Sequence, residues 1–490
     1  MAENTPLTLA DARHLLRRTG FGATLAEAES LLARASTRGE AADALLDFKP
    51  SRFKPGGRFI EDIHNKWVKY MTKTRLQLQE KLVLFWHDHF ATSFQTVLNV
   101  GQMQVQNRLF RINCIGDFKA LVKAVNLDPA MMEFLDTVDN RRQQPNENYS
   151  RELQELFTLG VKDLDGNDNY DQEDVFQIAR AFTGWDYDDR GAPDFRDSRH
   201  DYEEDYPERG PKRIFKTKGG FGAPAGQDIA ANGEGPQEID TVVDIIFQHR
   251  YGAGLRNTVA DHLAYKLITY FAHPQPDHGF VHDVVDLSGF TGSWSVAALL
   301  KQIFVHDDFY LSAATADTGV PRSVKWPIDY AVSAVRLLRM KLKGKYQETQ
   351  GGYYASVRSH LTDMGQVLFE PPSVFGWDWE LAWLSSSTLL ARYAFARDLI
   401  ASRDGGSTSF RLEKLDFDLD MTDAGDIVDQ VALILGVEDQ IGAAERTALI
   451  NYLTDNSPAS PVDLQDEEVR NRKLHGLFGL LLQSPAFQLQ

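Results

Sequence analysis

Residues 80–93 read EKLVLFWHDHFATS, a stretch that decides how the rest of the chain must be arranged. On a helix, Leu82, Val83, Leu84, Phe85, Trp86 and Phe90 cover nearly the whole circumference. A helix that is apolar all round is buried, so other helices must surround it. Yet His87, Asp88 and His89 stand at its end. Buried polar groups need partners, because an unpaired one costs about 1–3 kcal/mol. Either the helix reaches the surface there and the histidines cap it, or something inside the protein meets them.

The richest source of such partners is residues 145–185, PNENYSRELQELFTLGVKDLDGNDNYDQEDVFQIARAFTGW, which read as helix, acidic loop, helix. Tyr149, Leu153, Leu156 and Phe157 make the apolar face of the first helix. Asn148, Glu152 and Glu155 recur at i, i+4 and i+7, with Arg151 beside them. Ser150, Gln154 and Thr158 fill the remaining side and meet water unaided, so the charged row is expected to face inward, toward the 80–93 helix.

The loop between the two helices has the spacing of a calcium loop of the EF-hand kind. Asp163, Asp165, Asn167, Asp171 and Asp174 fall at positions 1, 3, 5, 9 and 12, with the Asn169 carbonyl at position 7. Asp168 stands where such loops carry glycine, and Asp174 where they carry a bidentate glutamate. The same residues also read as an Asp-Gly turn followed by a helix start, capped by Asp171 with Asp174 three residues on.

With 490 residues, 43% of them hydrophobic, the chain can bury a large core in roughly two to four structural units. A net charge of −18 without a basic arm argues against nucleic acid or anionic lipid as partners. Cys114 is the sole cysteine, which excludes an intrachain disulfide and a multi-cysteine metal site. No apolar run approaches the roughly 20 residues that span a bilayer, so membrane insertion is not expected. The first residues lack the pattern of a signal peptide. The expected location is the cytoplasm, or outside it if the chain leaves bound to an exported partner.

Taken in order, the periodicity predicts an all-α protein: a multi-helix orthogonal bundle with a loop-rich insert and a C-terminal helical unit. Residues 5–185 form an N-terminal helical core, including an almost unbroken helical run at 60–90. Residues 186–238 are rich in charge, glycine and proline and read as a long loop or small hairpin insert. Their KTKGGFGAPAG lacks the spacing of a nucleotide-binding loop. Residues 239–401 make a second helical half, in which Trp377, Trp379 and Trp383 gather at a bend after Pro371 and Pro372. Composition shifts at RDGGSTS, and residues 402–490 form the C-terminal unit, with a helical stretch running from Ile427 through Tyr452.

Several ordered motifs together resemble the bacterial domain of unknown function 1800 family over almost the whole chain. They are RHLLRRTGFG, EKLVLFWHDHFATS, DPAMMEFLD, PNENYSRELQELFTLGV, YDQEDVFQIARAFTGW, PPSVFGWDWELAW with the following Ser387 and Arg392, and the terminal SPAFQLQ. The resemblance implies no chemistry. It does imply a neighbour, since such proteins are often encoded beside members of the domain of unknown function 1501 family, which look like exported sulfatase- or phosphatase-type hydrolases. Many relatives carry export signals, and this sequence departs from them there.

Two functions are in view. The first is an enzyme with a His/carboxylate centre between two buried helices. His87 and His89 would be metal ligands or proton carriers, Glu152 and Glu155 the carboxylates, and Asn148 and Arg151 would orient substrate. Imidazole with carboxylate suits zinc, iron or manganese. The same residues also suit a buried ion-pair network that fixes helix packing. The second function is a helical binding or maturation partner of an exported family-1501 hydrolase, using the tryptophans or the acidic segment as its contact surface.

Overall fold

The structure is a computed structural model that describes residues 2–203, 205–221, 226–229, 235–311, 321–340, 353–401 and 410–490. It is all-α, as the periodicity predicts. Among the described residues the strands form only three short antiparallel pairs: Trp185–Tyr187 with Pro193–Phe195, Arg213–Ile214 with Gln227–Asp228, and Arg250–Tyr251 with Arg256–Asn257.

The expected run at 60–90 is two helices, Ile60–Met71 and Gln77–His89. Two threonines end the first. The Thr72 hydroxyl donates back to the Lys69 carbonyl at 2.9 Å, and the Thr74 hydroxyl accepts the Leu76 N–H at 3.0 Å. Such local bonds give the backbone an alternative to the helical ladder.

Gln77–His89 is buried from Leu78 to its end, polar residues included. Each polar group is met from a distant part of the chain. The Glu80 carboxylate accepts two bonds from the Arg111 guanidinium at 2.9 and 2.8 Å and one from the Trp67 indole at 2.7 Å. The Lys81 ammonium pairs with Asp329 at 2.7 Å, and the Trp86 indole donates to the Cys114 carbonyl at 3.1 Å. Helices Val100–Asn113, Thr258–Phe271 and Pro327–Leu337 thereby close around one rod.

The described part of the 186–238 segment is no loose loop. Arg180 grips both carboxylate oxygens of Asp201 at 3.2 Å, with both side chains buried. The Lys212 ammonium donates to Glu238 at 2.6 Å and lies 3.2 Å from the His200 imidazole. Residues 222–225 of the KTKGGFGAPAG stretch lie outside the described residues, as does the compositional boundary at 402–409. Past that boundary, the helical stretch at 427–452 consists of two helices, Ala424–Leu435 and Ala443–Leu453, parted after Gly436. The tryptophans wedge a core: Trp326 lies 5.3–6.3 Å from Trp377, Trp379 and Trp383, ring centre to ring centre.

Arg111→Leu strands the Glu80 carboxylate in the interior. It is expected to lower unfolding free energy by about 3–5 kcal/mol in denaturant titrations, and adding Glu80→Gln should recover part of that loss.

Candidate functional site

The three polar residues ending the buried helix diverge. His87 Nε2 accepts the Phe369 N–H at 3.0 Å, and its ring stands edge-on to Trp377. Burial pushes this imidazole down to about 3, so it is neutral. Asp88 accepts the Trp377 N–H at 2.8 Å and the Trp379 indole N–H at 3.2 Å. Gly376 lets the chain come this close, since a Cβ there would lie 2.3 Å from Asp88 Oδ1 and the backbone holds φ at +85°. Burial raises the Asp88 carboxyl to about 7, against the pull of Lys266 and its two N–H donors. His89 turns the other way, with Nε2 3.1 Å from the Phe157 carbonyl and Nδ1 buried without a partner. Burial holds it well below the usual range, helped by Lys266 and His262.

The segment meets this helix through the Phe157 carbonyl and not through the charged row: Ser150, Gln154 and Thr158, expected to face water, are buried, while Asn148, Arg151 and Glu155 stay partly exposed. Asn148–Glu152 is α-helical, while Leu153–Thr158 opens into a π-turn ending before Gly160. The extra residue in that turn breaks the i, i+4, i+7 register that would align Glu155 with Asn148 and Glu152. Glu155 accepts the Tyr170 hydroxyl at 2.8 Å, Arg151 pairs with Glu147 and Gln172, and Asn148 donates to Asp136 at 3.2 Å. One Glu152 oxygen is buried without a partner, and burial with the neighbouring Glu155 raises this carboxyl to about 7 against Arg151. Among the described residues no hydrogen bond or ion pair joins His87 or His89 to Glu152 or Glu155. Nor do any three His, Cys, Asp or Glu side chains converge as a group that could hold a metal.

The acidic segment spends its oxygens internally. Asp163 accepts the Asn167 N–H at 2.9 Å. The Asn169 carbonyl, expected at position 7, is taken by His249 at 2.9 Å. Asp171 and Asp174 form a capping box at the start of Gln172–Ala181, and Asp174 also accepts the Phe215 N–H at 2.6 Å. Asp165 lies beside Gly252. The turn-and-cap pattern accounts for these contacts, and the segment's carboxylates do not converge in threes.

Sequence reasoning passed over what stands across the π-turn. Helix Thr258–Phe271 carries His262 and Lys266 one turn apart on one face. Gly160, at φ +77°, lets the π-turn approach that face, since a Cβ there would lie 2.8 Å from His262 Nδ1. Behind the turn is a cavity of about 290 Å³ lined by Leu159, Leu164, Thr258, His262, Tyr265 and Lys266, among others. Most polar groups around it are engaged: Asp261 by Tyr251 and Arg256, Thr258 by His249 at 2.7 Å. Three are not. His262 Nε2 is buried without a partner, and neither the half-buried Lys266 amine nor the Tyr265 hydroxyl makes a hydrogen bond or ion pair among the described residues. Burial lowers the Lys266 amine, opposed only by Asp88, and lowers His262 to about 3, with Lys266 adding and the Leu156 carbonyl opposing. The available signal was an ionisable i, i+4 pair on an otherwise apolar helix.

The family described as "protein of unknown function (DUF1800)" matches residues 14–489, a span that takes in the buried helix, the π-turn and the cavity. The chain belongs to the DUF1800 family. No curated protein and no solved structure matches it. What this family member does must therefore be argued from its own side chains.

Gly376→Ala drives a methyl group into the Asp88 carboxylate and forces a left-handed backbone on alanine. The expected loss is about 2–4 kcal/mol of unfolding free energy, measured by denaturant titration, with quenched-to-native shifts in the Trp377/Trp379 fluorescence.

Proposed function

We propose that this DUF1800 protein is an enzyme whose centre is the cavity behind the π-turn, with Lys266 and His262 as its proton-transferring groups. The observation that carries this reading is that both side chains line the cavity, His262 with one buried nitrogen that has no partner and Lys266 with an amine that makes no hydrogen bond or ion pair among the described residues. Leaving such groups unmatched costs stability, and a cost of that kind is retained where the groups have work to do. The pKa directions fit. A lowered amine accepts a proton more nearly at neutrality, beside an imidazole that burial keeps neutral and able to relay a proton in passing, and Asp88 beyond them favours the returning ammonium. The cavity suits a small polar molecule, being at the lower end of ligand-pocket volumes. This moves the proposed centre from the His87/His89–Glu152/Glu155 set to the facing helix. A zinc, iron or manganese site built on the former would need its side chains to swing together.

Lys266→Met tests the reading even before a substrate is known. Replacing this half-buried, unpaired amine by an apolar group is expected to raise unfolding free energy by about 0.5–2 kcal/mol. Any turnover found in a screen of carbonyl, ester and phosphomonoester compounds should fall by about 100-fold or more in Lys266→Met and His262→Ala. A turnover that survives both variants would put the centre elsewhere.

A second reading has one observation in its favour. Phe375, Leu381 and Leu390 are 67%, 78% and 65% exposed around the tryptophan wedge, an apolar surface suited to a protein partner. On this reading the chain is a binding or maturation partner of a family-1501 hydrolase. Phe375→Ser/Leu381→Ser should then abolish co-purification with that hydrolase while Lys266→Met leaves it intact.

A further inference from the structure

We propose that Lys266 is an imine-forming nucleophile, so that the molecule bound in the cavity carries an aldehyde or ketone carbonyl. This rests on the reading of the cavity as the reaction centre and adds the chemical class of its substrate. Of the two cavity groups left free to attack, the Lys266 amine and the Tyr265 hydroxyl, the amine is the stronger nucleophile toward a carbonyl. Lys162, the other amine there, is exposed and donates to the Gly166 carbonyl and toward Asp168. The Thr258 hydroxyl is bound to His249, and the Asp261 carboxylate is held by Tyr251 and Arg256. The chain's single thiol, Cys114, is buried away from the cavity and pushed up to about 12 by burial first and by Glu80, so it supplies no thiolate.

An amine attacks a carbonyl only when unprotonated, and burial in an apolar wall is the usual way to keep it so. Lys266 has that setting, without a carboxylate within ion-pair distance to hold its proton. His262, one helical turn earlier, supplies the proton traffic. Its Nδ1 side faces the π-turn, where the Leu156 carbonyl accepts a proton donor, which leaves Nε2 as the bare nitrogen.

The step balances without an oxidant or reductant. The Lys266 nitrogen bonds to the carbonyl carbon as the C=O π pair moves onto oxygen. His262 Nε2 takes a proton from the nitrogen and returns it to that oxygen, giving a carbinolamine. The hydroxyl then leaves as water with the proton that remained on the nitrogen, relayed by His262, as the electron pair left on nitrogen forms the C=N bond. Addition of water reverses the sequence and frees the amine.

The full-length protein, treated at neutral pH with benzaldehyde, glyceraldehyde or pyruvate and then sodium borohydride, should carry a reduced adduct on Lys266. Peptide mass mapping is expected to find that site labelled about tenfold faster than any other lysine, and labelling there should slow by about tenfold in His262→Ala. Lys266→Arg, which keeps the charge and should keep the fold by circular dichroism, is expected to lose the adduct. Labelling spread evenly over the surface lysines, or absent from Lys266, overturns the proposal. Benzyl alcohol and lactate, the matched compounds without a carbonyl to attack, separate the two levels. If they raise the melting temperature of the wild type but not of Lys266→Met while no adduct forms, imine chemistry falls and the acid–base centre stands. If they raise neither and no adduct forms, both fall.

Discussion

A helix that is apolar on every side can only exist inside the protein, and whatever polar groups it carries go in with it. Gln77–His89 carries seven such residues in Gln79, Glu80, Lys81, Trp86, His87, Asp88 and His89. Their partners come from several elements, because neighbours on a helix point different ways. The consequence is a fold held from within. Arg111, Asp329, Phe157, Phe369 and the Trp377–Trp379 corner are drawn from across the chain to one rod. A buried ion pair adds little net stability over an apolar pair of the same shape. What these pairs contribute is register: each admits one arrangement of the helix it reaches.

The same demand explains why the end of the rod is not itself a single centre. His87 and Asp88 are committed to the 369–379 segment, and His89 to the π-turn. One layer further out, Lys266 and His262 face open space rather than backbone. Packing satisfies most of the inner layer, with His89 Nδ1 left over there, and leaves the cavity these two groups more. Asp88 links the two layers by charge, since its carboxyl and the Lys266 amine each feel the other through the interior.

Much of this was legible in the sequence, and the limits have physical causes. The buried helix could be read from Leu82–Phe90 because an apolar circumference has no other interpretation. The cap at Asp171 and Asp174 could be read because it depends on residues three apart. The meeting of the 145–185 segment with the buried helix was also anticipated, but through side chains rather than the Phe157 carbonyl. A π-turn has no strong local code. It differs from an α-turn by one residue, and the packing around Leu153–Thr158 selects it. His262 and Lys266 were missed for a related reason: each is unremarkable alone, and only the approach of Gly160 and the cavity gives them a role.

That π-turn also says how such a centre could arise or be lost. Relative to a plain α-helix it amounts to one inserted residue, and each residue advances an α-helix by about 100°. Removing one position between Leu153 and Thr158 would rewind the segment and rotate everything between it and Gly160 by that angle. The Leu156 and Phe157 carbonyls would then face away from the two imidazoles, and the cavity would lose one wall, with no side chain at the centre altered. In this fold a deletion of three nucleotides reaches further than most point substitutions.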